Sequence, residues 1–253
     1  MQRKRKAINE FFTPVAKHEA PRSPKIREEG PDKMGTDYIP VLKTSVPGLN
    51  IHHDFVNHTE EQIILNFLND PSKCTWRTDL SRRTMHFGGT YCLMSSKLNG
   101  QSQAKPQILQ APPMPDEFDW LVQRMVDACI YPVSQRPQYC IVNEYTGNLG
   151  ISAHTENFQF GEPVAGLSLL SACPIRFHEL TKPYDGSVRS GKAGKASKTG
   201  RVEDVAMPGR SLLVMRGQSR SVWQHEILRS AKGRGVGWKR VSLTFRYKAD
   251  GKI

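Results

Sequence analysis

The sequence has no closely spaced pair of cysteines. Its five cysteines are scattered along the chain, at Cys74, Cys92, Cys129, Cys140 and Cys173. Zinc knuckles and redox motifs place two cysteines within a few residues of each other, so this spacing argues against both. We therefore expect reduced thiols in an intracellular protein.

Long apolar runs are also missing. No stretch approaches the roughly 18 apolar residues that a membrane-spanning helix needs. The first residues, MQRKRKAINEFF, are basic and lack the apolar core of a secretory signal peptide. The sequence consequently predicts a soluble protein that is neither secreted nor membrane-spanning.

Acidic residues are in deficit. The 24 Asp and Glu are outnumbered by 36 Lys and Arg, which gives a formal net charge of +12. Such a surface attracts nucleic-acid phosphates by releasing counterions, although acidic proteins or membranes would be attracted as well. The length of 253 residues suits one sizeable domain and a tail.

Residues 1–37 are basic and proline-containing with few large apolar groups, which predicts a disordered tail. Within it, Ile8, Phe11 and Phe12 have the spacing that forms one apolar patch on a helical turn. This spacing resembles the peptide that docks on DNA sliding clamps, although that peptide usually has Gln where Arg5 stands. Docking on the chain's own domain is the alternative. The neighbouring RKRK indicates nuclear localisation or only solvated charge.

Two amphipathic helices are predicted early in residues 38–253, which we interpret as one domain. In HTEEQIILNFLND, Thr59 and Gln62 have the spacing of a capping box, and the following apolar face consists of Ile63, Ile64, Phe67 and Leu68. PPMPDEFDWLVQRMVDACI repeats this pattern after its prolines, with an apolar face of Phe118, Leu121, Val122, Met125 and Cys129.

Short segments typical of strands follow the helices: QYCIVNEY, GLSLLSA, PIRFHEL, RSLLVMRG, SVWQHEI and KRVSLTFRYK. Helices followed by many strands favour an α+β fold in which helices pack against a β-sandwich or jelly roll. Residues 182–201 are rich in Gly, Ser and Lys, which predicts a long flexible loop that is either functional or merely solvated. Its basic residues are Lys182, Arg189, Lys192, Lys195, Lys198 and Arg201.

His154 and Glu156 lie two residues apart at the end of an apolar run. Residues at this spacing project from one face of a strand, so both side chains can bind one ion. Two histidines and one carboxylate on one face of an octahedron leave positions open for substrate and oxygen. Among the other histidines, His225 follows an apolar strand and is the best third ligand, whereas His178 is more typical of a core histidine and His86 lies in a basic segment.

Arg240 and Arg246 are six residues apart on the last predicted strand, so both point to the same face. Two guanidiniums directed into a barrel are costly unless they meet anions. A dicarboxylate cosubstrate would remove that cost, because Arg240 could bind its distal carboxylate while the other end chelates iron.

The segments NEYTGNLGISAHTE, PGRSLLVMRGQSRSVWQHEI and RVSLTFR resemble successive motifs of the AlkB family of iron(II)/2-oxoglutarate-dependent dioxygenases, over about Ile51 to Lys248. The resemblance implies a double-stranded β-helix, or jelly roll, that uses Fe(II), 2-oxoglutarate and O2. It implies that iron is bound by His154, Glu156 and His225. The family usually has Asp where Glu156 stands, and the longer side chain still supplies an oxygen ligand.

The same resemblance implies that Asn143 and Tyr145 hydrogen-bond 2-oxoglutarate. Arg240 would pair with its distal carboxylate, and Arg246 would brace the metal-side end. RRTMHFGGTY resembles the family's segment ahead of the core, where an aromatic residue lies beside the flipped base. The candidates for that role are Tyr91 and, second, Trp76.

The implied reaction is oxidative demethylation of alkylated bases in nucleic acid, with DNA alkylation repair as the favoured role. The target base must leave its stack, which favours single strands or damaged pairs. The segments VNEYTGNLGISAHTENF and SRSVWQHEI also resemble the branch of the family that hydroxylates a modified wobble uridine in tRNA. A catalytically inactive nucleic-acid-binding module is the other alternative, and a monomer is the default expectation.

Overall fold

Two antiparallel sheets pack face to face in the computed structural model, which describes residues 41–93, 107–157, 159–184, 196–230 and 232–248. The larger sheet has seven strands, in the spatial order β1 (Val41–Lys43), β2 (Leu49–His52), β11 (Ser211–Met215), β8 (Val164–Leu170), β13 (Lys239–Arg246), β6 (Tyr139–Thr146) and β3 (Arg83–Phe87). The smaller sheet has four, in the order β10 (Lys198–Val205), β9 (Ile175–Leu180), β12 (Trp223–Ile227) and β7 (Ile151–His154). A separate pair joins β4 (Thr90–Leu93) to β5 (Gln107–Gln110).

The helices are α1 (His58–Asn69), α2 (Asp119–Asp127) and the short α3 (Gln218–Ser221). Single 3-10 turns lie at Asp116–Phe118 and Val133–Gln135. The first two helices cover the outer face of the larger sheet, where they form one apolar cluster with its strands. The α+β jelly-roll fold expected from the sequence is therefore confirmed, and all six predicted strand segments contain a strand.

Alternation along β13 separates the core from the interior of the barrel. Val241, Leu243 and Phe245 pack into the apolar cluster beneath the helices. The residues between them point the opposite way, as side chains of a strand must. These inward residues are Arg240, Ser242, Thr244 and Arg246. Because Arg240 and Arg246 are separated by an even number of residues, both lie on the inner face, as the sequence predicted.

Helix α1 begins with a different cap from the predicted one. The side chain of Asn57 accepts a hydrogen bond from the Glu60 backbone N–H at 2.9 Å, and Glu60 accepts one from the Asn57 N–H at 2.8 Å. This reciprocal pair is the capping box, so the assignment to Thr59 and Gln62 was wrong. Ile63 is 52% exposed, since the buried face turns towards Ile64 and its neighbours.

Helix α2 buries the predicted apolar residues with one exception. Phe118, Leu121, Val122 and Met125 are all buried. Cys129 is exposed, because the helix ends at Asp127 and Cys129 takes a left-handed conformation with φ of 55°. The free thiols of the described cysteines are consistent with the absence of paired cysteines in the sequence.

The predicted loop at residues 182–201 is partly wrong. Lys198 and Arg201 belong to β10, which pairs with β9, and the Arg201 guanidinium lies 5.2 Å from the Trp223 ring. Most of β10 is exposed, so its sequence shows no hydrophobic alternation that would have predicted a strand. Arg189, Lys192 and Lys195 lie outside the described residues.

The predicted tail, residues 1–37, also lies outside the described residues, and with it the patch of Ile8, Phe11 and Phe12. Its disorder and its docking on a clamp stay predictions. Among the helices that the structure describes, none combines the length and apolar character needed to cross a membrane.

Candidate metal centre

A cavity of about 530 Å³ lies between the two sheets. Its wall contains every residue that the sequence predicted to hold iron or 2-oxoglutarate, although these residues come from four strands and one loop. They are Asn143, Tyr145, His154, Glu156, His225, Arg240 and Arg246. The fold therefore brings seven residues spread over 104 positions of the chain into one chamber.

Strand pairing places the two histidines side by side. His154 ends β7 and lies directly opposite His225 of the antiparallel β12, with ring centroids 4.3 Å apart. Glu156 follows β7 by two residues, and its Oε1 lies 3.6 Å from the Nε2 of His225. The three ligand atoms are within 4.8 Å of one another, which is close enough for all three to bind a single ion.

One imidazole is oriented by a backbone hydrogen bond, and the other is kept neutral by burial. The Nδ1 of His154 is 2.8 Å from the Ser152 carbonyl oxygen, so Nδ1–H donates to that carbonyl and the Nε2 lone pair remains available. Burial, followed by the neighbouring His154, lowers the pKa of His225 to about 3, which keeps its ring neutral. The buried Nδ1 of His225 has no hydrogen-bond partner in the described part of the chain.

Glu156 is ionised despite its burial. Burial is the largest single effect and raises the pKa of this carboxyl, but the charge and hydrogen bond of Arg246 act together with the neighbouring His225 and His154, and the pKa falls to about 2. Arg246 donates to Oε2 from Nε at 2.8 Å, and its terminal nitrogen lies 2.7 Å from the same oxygen. Because both contacts fall on Oε2, Oε1 is left facing His225.

This donor set fits a ferrous ion. Two neutral imidazoles and one carboxylate on neighbouring strands match the facial triad of non-haem iron oxygenases, which leaves the remaining positions open. The Nε2 of His225 and the unshared Oε1 of Glu156 lie 3.6 Å apart, so these are the atoms that the two residues would present to one ion. Arg246 is the outer partner that fixes the carboxylate.

Arg240 marks the other end of the chamber. It is 4% exposed, its Nε donates to the Ser168 hydroxyl at 2.7 Å, and its guanidinium lies 5.6 Å from the Tyr145 ring. No carboxylate of the described residues lies within ion-pair distance of it. Burial lowers the pKa of Arg240, because the charged guanidinium has lost its water. A buried cation in this state is suited to binding an anion.

Asn143 and Tyr145 lie on β6 beside these groups. Asn143 pairs across the sheet with Ser242, and Tyr145 pairs with Arg240. The amide oxygen of Asn143 accepts a hydrogen bond from Arg82 Nε at 2.8 Å. The amide NH2 of Asn143 is consequently the group that remains to donate to a ligand.

Arg82 and His86 also line the chamber, although sequence patterns did not single them out as site residues. In β3, Thr84 and His86 face the cavity while Met85 and Phe87 enter the core. Burial, with Arg77 second, lowers the pKa of His86 to about 4, and its buried Nδ1 has no hydrogen-bond partner among the described residues. Alternation within RRTMHF was the signal that could have found this strand.

Tyr91 and Trp76, the candidates for contact with the base, are not brought to the cavity. Tyr91 is buried, and its hydroxyl donates to the Phe87 carbonyl at 2.6 Å. Trp76 lies in a different groove with the Arg83 guanidinium 4.5 Å from its ring. On this side the cavity is lined instead by Arg77, Asp79, Leu80 and Arg82.

A family model described as the 2OG-Fe(II) oxygenase superfamily matches residues 48–246. The chain belongs to this superfamily. Its similarity to AlkB proteins is confirmed as well, and membership of the superfamily implies a dioxygenase that uses Fe(II), 2-oxoglutarate and O2. The matched region contains all seven residues that the sequence predicted to hold iron or 2-oxoglutarate.

Among the relatives, RNA demethylase ALKBH9B of Arabidopsis thaliana is 27% identical over 180 residues, which cover 70% of this chain and 32% of that protein. The tRNA (carboxymethyluridine(34)-5-O)-methyltransferase ALKBH8 of Mus musculus is 25% identical over 201 residues, 77% of this chain and 25% of that protein. The similar region thus spans only about a third of the length of ALKBH9B and a quarter of the length of ALKBH8. The solved structure of OsALKBH1 has the same fold, with a TM-score of 0.54 and 19% identity over 82% of this chain and 100% of that one.

Proposed function

We propose that this dioxygenase oxidatively demethylates alkylated bases in nucleic acid, with DNA alkylation repair as its role. The observation that carries the chemistry is the chamber itself, which has a three-ligand centre at one end and a buried, unpaired Arg240 at the other. A cosubstrate with two carboxylates could place one carboxylate at the metal and the other at Arg240. The nucleic-acid substrate is supported by the net charge of +12 and by the names of the relatives.

In this proposal His154, Glu156 and His225 hold the metal, and Arg240 binds the distal carboxylate of 2-oxoglutarate. When bound, Fe(II) with 2-oxoglutarate and O2 supplies the oxidising power, and the cosubstrate leaves as succinate and carbon dioxide. One oxygen atom of O2 enters a C–H bond of the N-methyl group; the N–C bond then breaks, the carbon leaves as formaldehyde with that oxygen, and the hydroxyl proton passes to the base nitrogen. The second oxygen atom of O2 is then in succinate, so the atoms balance.

The side chains around the metal serve position and exclusion of water. Arg246 keeps Glu156 ionised and aimed at the metal position. Asn143 presents its amide NH2 to the cosubstrate, since Arg82 occupies its oxygen. The target base must be turned out of its stack to enter a chamber between two sheets, which makes single strands the preferred substrates.

A second candidate is hydroxylation of a modified uridine in tRNA. It is favoured by the similarity to mouse ALKBH8, although the similar region covers only a quarter of that protein. The same chamber would serve both reactions, because each begins with oxidation of a carbon atom held beside the metal. The products differ: demethylation removes a methyl group, whereas hydroxylation adds one oxygen atom.

The experiment offers methylated single-stranded DNA, methylated duplex DNA, methylated RNA and tRNA in parallel to the full chain, with Fe(II) and 2-oxoglutarate. Mass spectrometry measures succinate and the change in each base. We expect succinate together with methyl loss, greatest on single-stranded DNA. Methyl loss confined to RNA would refute DNA repair, oxygen gain on tRNA would support the second candidate, and no succinate from any substrate would refute both. His225→Ala is the control for metal-dependent turnover.

We further propose that residues 1–37 direct the protein to the nucleus and to a DNA sliding clamp. The support is the basic RKRK and the spacing of Ile8, Phe11 and Phe12. Purified clamp immobilised on resin should retain the full chain but not the triple substitution of these residues by Ala. Equal retention of both would show that the patch does not mediate the contact.

A further inference from the structure

Arg220 is a buried arginine on α3 that does not touch the three ligands. Its side chain is 6% exposed, and its terminal Nη2 donates to the carbonyl oxygens of Asn157, at 3.0 Å, and Phe160. The buried Nε has no partner among the described residues. Such a guanidinium has lost its water and regained only part of its hydrogen bonding, which is costly.

The segment that Arg220 contacts carries a ligand. Glu156 lies beyond the end of β7, so no sheet hydrogen bond of that strand fixes its backbone. The turn after it is closed by the Phe160 N–H, which donates to the Asn157 carbonyl at 3.1 Å. Arg220 donates to the carbonyls at both ends of this turn, and therefore holds the turn that follows the ligand.

Arg220 is also close in the chain to His225, the third candidate ligand. Arg220 precedes His225 by five residues, and α3 leads directly into β12. A second contact joins the two segments, because the Gly217 N–H at the start of α3 donates to the Glu162 carboxylate at 2.8 Å. Arg220 lies 3.9 Å from this carboxylate as well. One short helix thus connects the segment of Glu156 with the strand of His225.

We propose that Arg220 is a positioning residue that sets the separation of Glu156 and His225 and thereby the affinity of the site for its metal. It acts through the backbone carbonyls of Asn157 and Phe160 and contributes no ligand atom. This inference rests on the three-ligand assignment made above. Glu156 lies in an irregular segment, so its position depends on contacts such as those of Arg220. His154 and His225, by contrast, are held by the pairing of β7 with β12.

The test measures metal binding to the full chain without any nucleic acid. Anaerobic titration with Fe(II), and with Co(II) followed by its absorption spectrum, gives the dissociation constant for wild type, Arg220→Met and Arg220→Lys. We expect Arg220→Met to weaken binding by about 10- to 100-fold, the range typical of lost outer partners of metal ligands. Arg220→Lys should show a smaller loss, since an ammonium keeps the charge but not the planar fork.

Arg216→Met is the matched control. Arg216 lies four residues earlier, and its guanidinium likewise donates to two carbonyls, those of Cys129 and Ile130, away from the cavity. Circular dichroism and thermal unfolding report whether each variant folds. If Arg220→Met does not fold, methylguanidine added to Arg220→Ala should restore metal affinity in proportion to its concentration.

Three results would overturn the inference: a folded Arg220→Met that binds metal like the wild type, an Arg216→Met that loses affinity equally, or an Arg220→Ala that methylguanidine does not rescue when Arg220→Met is unfolded. His225→Ala separates this failure from failure of the ligand assignment. If His225→Ala binds metal normally, the assignment itself is wrong. If it loses the metal while Arg220→Met does not, only the role of Arg220 is refuted.

Discussion

Replacing Arg240 and Arg246 separately by Met should change the free energy of unfolding by very different amounts, although both are buried arginines on the same face of β13. Arg246 is paired with the buried carboxylate of Glu156. Removal of one partner from a buried ion pair costs about 3–5 kcal/mol, because the other charge is left uncompensated. We therefore expect Arg246→Met to lower the free energy of unfolding by about that amount.

For Arg240 the contributions nearly cancel. The Nε hydrogen bond to Ser168 is worth about 1.5–3 kcal/mol, and the contact with the Tyr145 ring about 0.5–2 kcal/mol. Against these, Arg240→Met removes a buried charge that has no ion-pair partner among the described residues, whose desolvation costs several kcal/mol. The expected change in the free energy of unfolding is within about 1 kcal/mol of zero, or stabilising.

Arg240 should be needed for binding of 2-oxoglutarate, although it contributes little to the stability of the protein without ligand. A ligand at 100 times its dissociation constant stabilises the folded protein by about 2.7 kcal/mol. Urea unfolding with and without 2-oxoglutarate, in the presence of Mn(II), should show this gain in the wild type and not in Arg240→Met. If Arg240→Met without ligand loses as much stability as Arg246→Met, Arg240 is not an uncompensated cation and its assignment to the distal carboxylate loses its physical basis.

Three further predictions concern the metal ligand, a surface ion pair and the tail. Glu156→Asp should weaken metal binding in a titration, because the shorter side chain cannot stay on Arg246 and also reach the metal; tighter binding would show that Glu is the compromised ligand. The hydrogen bond from Arg124 lowers the pKa of Glu60, so its stabilisation is present above the usual value of 4.5 and is lost as pH falls through the lowered pKa. Glu60→Gln should therefore flatten the pH dependence of urea unfolding below about pH 4.5, and an unchanged slope would contradict this. Deletion of residues 1–37 should leave turnover of short methylated oligonucleotides within about twofold of the full chain, as measured by succinate release; a larger loss would show that the tail takes part in the chemistry.

The candidate iron and cosubstrate residues of the chamber could be predicted from the sequence because they interrupt apolar strands at even spacing. On β6 the buried Cys140 and Val142 alternate with Asn143 and Tyr145 towards the cavity side, and on β13 the arginines alternate with Val241 and its neighbours. Charged residues inside such strands are costly, so they pointed to a shared ligand. The strand pairing that sets His154 opposite His225 required the structure, since register depends on contacts between residues 71 positions apart.

Predictions from local sequence patterns were wrong where contacts elsewhere in the fold decide the structure. The cap of α1 is Asn57 rather than Thr59, because two capping boxes were available and the helix starts at the earlier one. Strand β10 is too exposed to show alternation. Tyr91 was expected beside the base, but its position on β4 next to a packed aromatic group takes its ring into the protein interior.

The inner face of the larger sheet carries two buried arginines, Arg240 and Arg246, whose burial is unfavourable unless an anion compensates the charge. Arg246 is compensated by Glu156, so that this pair is complete within the protein and leaves one carboxylate oxygen for a metal. Arg240 is not compensated by any described carboxylate and so depends on a ligand for its counter-charge. Two arginines six residues apart therefore divide the chamber into an end that is electrostatically complete and an end that is not. In the function proposed above, an anionic cosubstrate entering this chamber would be attracted to the incomplete end, which would orient its other end towards His154, Glu156 and His225.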